Sequence, residues 1–126
     1  MSSKILIDTC GWIDFLRSRE GQLGNQVEQA LMSDRAVLCS VSIAELLQGA
    51  KGQKEKQQLS FLFEQVECLA VLSEDWFAAG NTLQNLRSQG ITLPLTDALI
   101  AAVANRHQLP VLTIDGHFQH LSVKRL

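Results

Sequence analysis

The stretch Ile5-Leu6-Ile7-Asp8 decides the fold: three consecutive apolar residues, with no polar alternation, end on a carboxylate. A strand with one wet face alternates, so an unbroken apolar run predicts a strand buried on both faces, as in a parallel sheet. Val111-Leu112-Thr113-Ile114 repeats the pattern near the far end, introduced by Pro110 and stopped by Asp115-Gly116. Residues 36–39 and 69–72 are further strand candidates, and 122–125 a last one. The segments between them predict helices. Two cover residues 12–17 and 22–33, and a third covers 42–49, opened by Ser42-Ile43-Ala44-Glu45, which fits a capping box. Residues 53–67 turn from polar to apolar through Leu59, Leu62, Phe63 and Val66, which share one helical face. Residues 75–88 carry Trp76, Ala79, Leu83 and Leu86 at helical spacing, with Gly90 as the C-terminal cap. Thr96 caps a last helix over 97–107, whose stretch 98–104 is almost wholly apolar and therefore central. Alternating strands and helices predict an α/β fold: a parallel central sheet of about four to five strands flanked by helices on both faces.

The chain has 126 residues, 46% apolar and 19% charged. That length suits one domain over residues 1–126, and no linker or repeat divides it. The composition excludes disorder and low-complexity architecture. With a formal net charge of −2, any nucleic-acid contact has to come from a local patch. Cys10, Cys39 and Cys68 are odd in number and widely spaced, which argues against a disulfide framework or zinc knuckle. Met1-Ser2-Ser3-Lys4 lacks the apolar stretch of a signal peptide, and no run approaches the roughly 20 residues that span a bilayer. The expectation is a reduced cytoplasmic domain with no membrane association.

Ligands of open parallel sheets bind beyond the carboxyl ends of the strands. Asp8 and Asp115 each follow a buried-strand run, Asp97 opens a buried helix, and Glu45 lies in the first turn of another. Gathered within a few ångströms, such carboxylates repel and require a cation. Oxygen donors with few His or Cys neighbours favour Mg2+ or Mn2+ over Zn2+, which suits metal-assisted phosphoryl chemistry. Each acid also has a plain structural reading. Glu45 can close a capping box with Ser42, Asp97 can complement a helix dipole, and Asp8 and Asp115 can be turn residues. Spacing alone leaves both readings open. The remaining acids, Asp14, Glu20 and Asp75 among them, read as solvated surface groups.

Other chemistries fit less well. Arg17 comes one position too late after Cys10 for a cysteine phosphatase, and Cys10 stands where a haloacid-dehalogenase-type phosphatase needs its second aspartate. Cys10 reads as a small buried hydrophobe. No glycine-rich phosphate loop occurs. Of the histidines, His107 reads as compensating a helix dipole, and His117 lies near the acidic loop. Trp12, Phe61, Phe63, Trp76 and Phe77 read mostly as core, with room for one at a subunit interface. Lys51, Lys54 and Lys56 form the densest basic stretch, a weak candidate for RNA phosphate contact.

Four blocks together carry a resemblance. Ile7-Asp8-Thr9-Cys10-Gly11-Trp12-Ile13-Asp14 resembles the opening of PIN-domain nucleases, especially VapC-type toxins of toxin–antitoxin modules. Ser40 through Gly49, with Glu45, is similar to that family's second block. Leu93-Pro94-Leu95-Thr96-Asp97-Ala98 is similar to the third, and Leu112-Thr113-Ile114-Asp115-Gly116-His117-Phe118 to the fourth. The blocks follow the family order and span nearly the whole chain.

The resemblance implies a PIN domain in which Asp8, Glu45, Asp97 and Asp115 form an acidic pocket for Mg2+ or Mn2+. Asp8 and Asp97 would be the leading ligands, with Glu45 and Asp115 completing the shell. Thr113 would support them by hydrogen bonding behind the ligands. His117 departs from the pattern, standing where the family often has another acid. The implied activity is endoribonuclease: water activated by the metal hydrolyses RNA phosphodiesters, leaving 5′-phosphate and 3′-hydroxyl ends. The implied partners are RNA, a cognate antitoxin protein and a second copy of the chain. The alternatives are a catalytically weak PIN-like RNA- or protein-binding module, and a phosphohydrolase of small phosphate esters.

Overall fold

A computed structural model describes residues 3–17 and 21–126. Met1 and Ser2, part of the stretch read as lacking a signal peptide, and Glu20, read as a solvated acid, lie outside the described residues. Four strands form one parallel sheet: β1 (Ile5–Ile7), β2 (Ala36–Cys39), β3 (Glu67–Leu69) and β4 (Val111–Leu112), in the order β3-β2-β1-β4. Leu6 pairs with Val37 on one side and Val111 on the other, so β1 is central. The helices are α1 (Thr9–Arg17), α2 (Gly24–Met32), α3 (Ser40–Gln48), α4 (Gln53–Gln65), α5 (Ser73–Ser88) and α6 (Leu95–His107), with a 3-10 turn over Gly116–His120.

Successive strand residues point to opposite faces, and both faces are covered. Ile5, Ile7, Leu38 and Leu112 pack with Trp12, Val27, Leu46 and Leu59 from α1–α4. Leu6, Val37, Cys39 and Val111 pack with Ala79 of α5 and with Leu99, Ile100 and Val103 of α6. Complete burial of β1 on both sides is why it reads as an unbroken apolar run. α6 is buried almost all round, as its apolar composition requires. Gly90, at φ +82, closes α5, with the Ile91 N–H bonded to the Leu86 carbonyl.

Several boundaries differ from the sequence expectations. The strand expected at 69–72 lies at Glu67–Leu69; as the sheet's edge strand it exposes Glu67 and Cys68 and so carries little apolar signal. The strand expected at 122–125 reduces to one parallel bridge, Val111 to Arg125, because its largely exposed side chains give a longer ladder no face to bury. α3 starts at Ser40, which places Ser42 inside the first turn, and no Ser42–Glu45 capping box forms. α6 starts at Leu95 behind Pro94, so Thr96 lies in the helix and is not its cap. Two of the acids read as solvated turn away from solvent instead. Asp75 is buried against Arg106, and Asp14 accepts the Leu23 N–H at 2.6 Å. Trp12 is core, whereas Phe61, Trp76 and Phe77 are exposed.

Candidate metal centre

The chain runs β1, β2, β3 outward on one side, then crosses to place β4 on the other side of β1. The crevice at the carboxyl ends of β1 and β4 is therefore the topological switch point, where ligand sites of open α/β sheets form. Asp8 stands at the end of β1, with only 2% of its surface exposed. Its Oδ1 accepts the Thr9 N–H at 2.8 Å. Its Oδ2 accepts the Thr113 hydroxyl at 2.8 Å and the Cys10 thiol at 3.2 Å. Thr113 follows β4 directly, and its oxygen accepts the Asp115 N–H at 2.9 Å. One hydroxyl thus ties the ends of both strands together.

Asp97, in the first turn of α6, is also buried. Its Oδ2 lies 2.9 Å from His117 Nδ1, which in turn lies 3.0 Å from Asp115 Oδ1. The same Asp115 oxygen caps the 3-10 turn by accepting the His117 N–H at 2.9 Å. Donor atoms of Asp97, Asp115 and His117 all fall within 4.8 Å of one another. Glu45 joins from α3: its Oε1 accepts the Thr9 hydroxyl at 2.6 Å, and Ser42 Oγ lies 2.8 Å from that hydroxyl. Thr9 has one proton to donate and gives it to Glu45, so Ser42 donates to Thr9.

The charges are mutually unfavourable. Burial, then the charge of Asp115, push the Asp97 carboxyl up to about 6 against the pull of His117, and Asp8 adds to the rise. Burial raises Asp8 as well, opposed by its bonds from Cys10, Thr113 and Thr9 and reinforced by Asp115. Burial pushes the Cys10 thiol up to about 11, which suits the inert role expected of it. Buried carboxylates of raised pKa, facing one another with one imidazole, form a donor set that fits a divalent cation.

Asp97 and Asp115 therefore converge with His117, Asp8 is joined to Asp115 through Thr113 and feels its charge, and Glu45 is linked to Asp8 through Thr9. The three lysines do not converge. Lys51 borders a cleft of about 400 Å³ beside Glu45, whereas Lys54 and Lys56 line two other surfaces of α4. Sequence reasoning underrated His117, whose contact with Asp97 spans 20 positions, and missed the linkage through Thr9 and Ser42. The signal for Thr9 was its place directly after the strand-end carboxylate.

A family-wide sequence profile for the PIN domain matches residues 5–124. Ribonuclease VapC11 of Mycobacterium tuberculosis is 30% identical over 118 residues, covering 90% of this chain and 88% of that protein. Among solved structures, VapBC2 of Rickettsia felis bound to a promoter DNA fragment superposes with a TM-score of 0.79 at 17% identity, over 97% of this chain and 96% of the other. VapBC-5 of Mycobacterium tuberculosis, a member of the VapBC family of toxin–antitoxin systems, superposes with a TM-score of 0.66 at 25% identity, over 98% and 99%.

Proposed function

Since the chain belongs to the PIN-domain family, we propose that it is a divalent-metal-dependent endoribonuclease acting as the toxin of a toxin–antitoxin pair. The observation that carries this is the convergence of Asp97, Asp115 and His117 beside buried Asp8, which Thr113 ties to Asp115, at the switch point of the sheet. Asp8, Asp97, Asp115 and Glu45 are the catalytic acids and hold Mg2+ or Mn2+. The bound ion supplies Lewis acidity, lowering the pKa of water and stabilising charge that develops on the scissile phosphate.

The chain's own residues do the rest. Thr113 holds the Asp8 carboxylate in one orientation and fixes the backbone that carries Asp115. Thr9, which accepts from Ser42, holds Glu45 through Oε1, so its second oxygen is the one that would be offered to a proton of the attacking water. The chain's net charge is −2, so the cation also offsets repulsion between the acidic pocket and an RNA phosphate. Lys51, beside Glu45, is the lysine best placed to meet the RNA backbone.

The partners in this reading are RNA, a cognate antitoxin and a second copy of the chain. A trough of about 780 Å³ beside α4, lined by Phe15, Leu16, Phe61 and Val66, meets the Glu45 cleft at Leu16. Its apolar lining and acidic neighbour suit an antitoxin segment with an apolar face and a cationic residue. The VapBC likeness supports an antitoxin partner, and the trough is our reading of where it docks. Among the described residues no helix is long and apolar enough to cross a membrane. We place the protein in the cytoplasm and take residues 1–126 as one PIN domain.

Asp97→Asn tests the proposal. The variant should lose RNA cleavage and growth inhibition while keeping the wild-type circular dichroism spectrum. Undiminished cleavage would overturn the assignment. Calorimetric titration with Mn2+ separates an enzyme from a catalytically weak binding module, which need not take up the ion.

A further inference from the structure

We infer that His117 is itself a metal donor, and that through its imidazole this site selects a first-row transition ion such as Mn2+ over Mg2+. The inference rests on the reading that the acidic pocket holds a divalent ion. His117 Nδ1 lies 2.9 Å from Asp97 Oδ2 and 3.0 Å from Asp115 Oδ1. An octahedral ion with bonds of about 2.1 Å places neighbouring donors about 3.0 Å apart, so the nitrogen sits where a third donor belongs.

The ring is held there although it is half exposed. The ring nitrogen faces Asp97 and Asp115, and the backbone N–H of His117 is bonded to the Asp115 carboxylate, which caps the turn. The next residue, Phe118, is wholly buried, and its N–H reaches the Asp115 carbonyl at 3.2 Å. The turn is thus anchored in the core on one side and to a candidate ligand on the other. A surface histidine with only a solvated role would need neither constraint.

The donor chemistry then sets the preference. Mg2+ takes oxygen ligands and keeps much of its water; Mn2+ shares the preference for oxygen but, as a transition ion, tolerates an imidazole nitrogen in its shell better than Mg2+ does. An acid in place of His117 would add an oxygen and a negative charge, which favours Mg2+. His117 adds a nitrogen and no negative charge, which weakens Mg2+ binding more than Mn2+ binding.

The test uses the whole chain with Mn2+ or Mg2+ alone and no RNA. Wild-type protein should bind Mn2+ more tightly than Mg2+ by calorimetry, and the electron spin-echo modulation of bound Mn2+ should show nitrogen coupling. His117→Ala should lower the ratio of Mn2+ to Mg2+ affinity by about tenfold or more and abolish the coupling. His117→Asp should raise Mg2+ affinity above that of the wild type without bringing back the coupling. Bound Mn2+ without nitrogen coupling in the wild type, or an affinity ratio unchanged in His117→Ala, would overturn this inference and leave the nuclease proposal standing. Wild-type protein that binds neither ion would overturn both.

Discussion

Thr113 donates a hydrogen bond to Asp8 at 2.8 Å, joining two residues 105 positions apart. The same oxygen accepts the Asp115 N–H, so the hydroxyl orients one buried acid and the backbone of another. Thr113→Val keeps the shape and removes both interactions. Divalent-ion affinity and cleavage rate should fall by roughly 10- to 100-fold, the range seen when a group supporting a metal ligand is lost. Thr113→Ser should retain most of both. Calorimetry and a cleavage assay on the two variants check this, and equal losses in valine and serine variants would refute the hydroxyl's role.

The crowding of acids around Asp97 makes a prediction about the metal-free protein. Its folded-state pKa is raised to about 6 from an ordinary 3.8, so the native state holds that proton more tightly than the unfolded chain does. Asp97 therefore favours folding below about pH 4 and loses that advantage as pH rises toward 6. Asp97→Asn lacks the penalty. In chelator its melting temperature should exceed that of the wild type at neutral pH, with the gap closing near pH 4. Mn2+ should then raise the wild type and leave the variant unmoved. A gap independent of pH would show that the charge of Asp97 is not what strains the site.

Gly11 in α1 tests how closely the site helix approaches the sheet. A Cβ there would stand 2.8 Å from Ile7 Cγ2 and 3.6 Å from Leu23 and Val27. The Ile7 methyl is one bond from its Cβ in a buried strand and cannot swing aside. Overpacking of this kind costs about 1–3 kcal/mol, and at a 2.8 Å contact with a fixed methyl it exceeds the ~1 kcal/mol that alanine gains over glycine in a helix. Gly80, in α5, has open space around its Cβ position. Gly11→Ala should therefore destabilise, and Gly80→Ala should stabilise by about 1 kcal/mol. Urea denaturation of both reads the contrast, and two changes of the same sign would contradict the packing.

How much was legible followed from burial. β1, β2 and β4 read as continuous apolar runs, because both sheet faces are covered. The acids at their carboxyl ends were visible for the same reason. β3 was misplaced because an edge strand with exposed Glu67 and Cys68 has no such signature. Trp76 and Phe77 looked like core, yet the inner face of α5 is Asp75, Ala79, Leu83 and Leu86, which follow helical spacing without them. A charged residue at an inward position misleads any pattern until its partner is known, and Arg106 lies 31 positions away. The His117–Asp97 contact was hidden for the same reason.

That Asp75–Arg106 pair carries the last prediction. Arg106 Nε and Nη2 donate to the two oxygens of Asp75 at 2.9 and 2.8 Å, and Nη2 also donates to the Ala70 carbonyl. Asp75 accepts the Leu72 N–H as well, so one buried carboxylate joins the start of α5 to the end of α6. Arg106→Ala strands that carboxylate and should cost about 3 kcal/mol. Arg106→Lys keeps the charge but not the two-pronged geometry, and should fall between. Burial raises Asp75, but the bonds from Arg106 and Leu72 outweigh it and hold the carboxyl below its ordinary 3.8. A depressed folded-state pKa means stability fully present above about pH 4 and lost as pH falls through the folded value. The wild type should therefore outlast Asp75→Asn in urea at neutral pH, with that advantage shrinking below about pH 4. An advantage that stays constant through the acid range would mean that the ionised carboxylate is not what links the two helices.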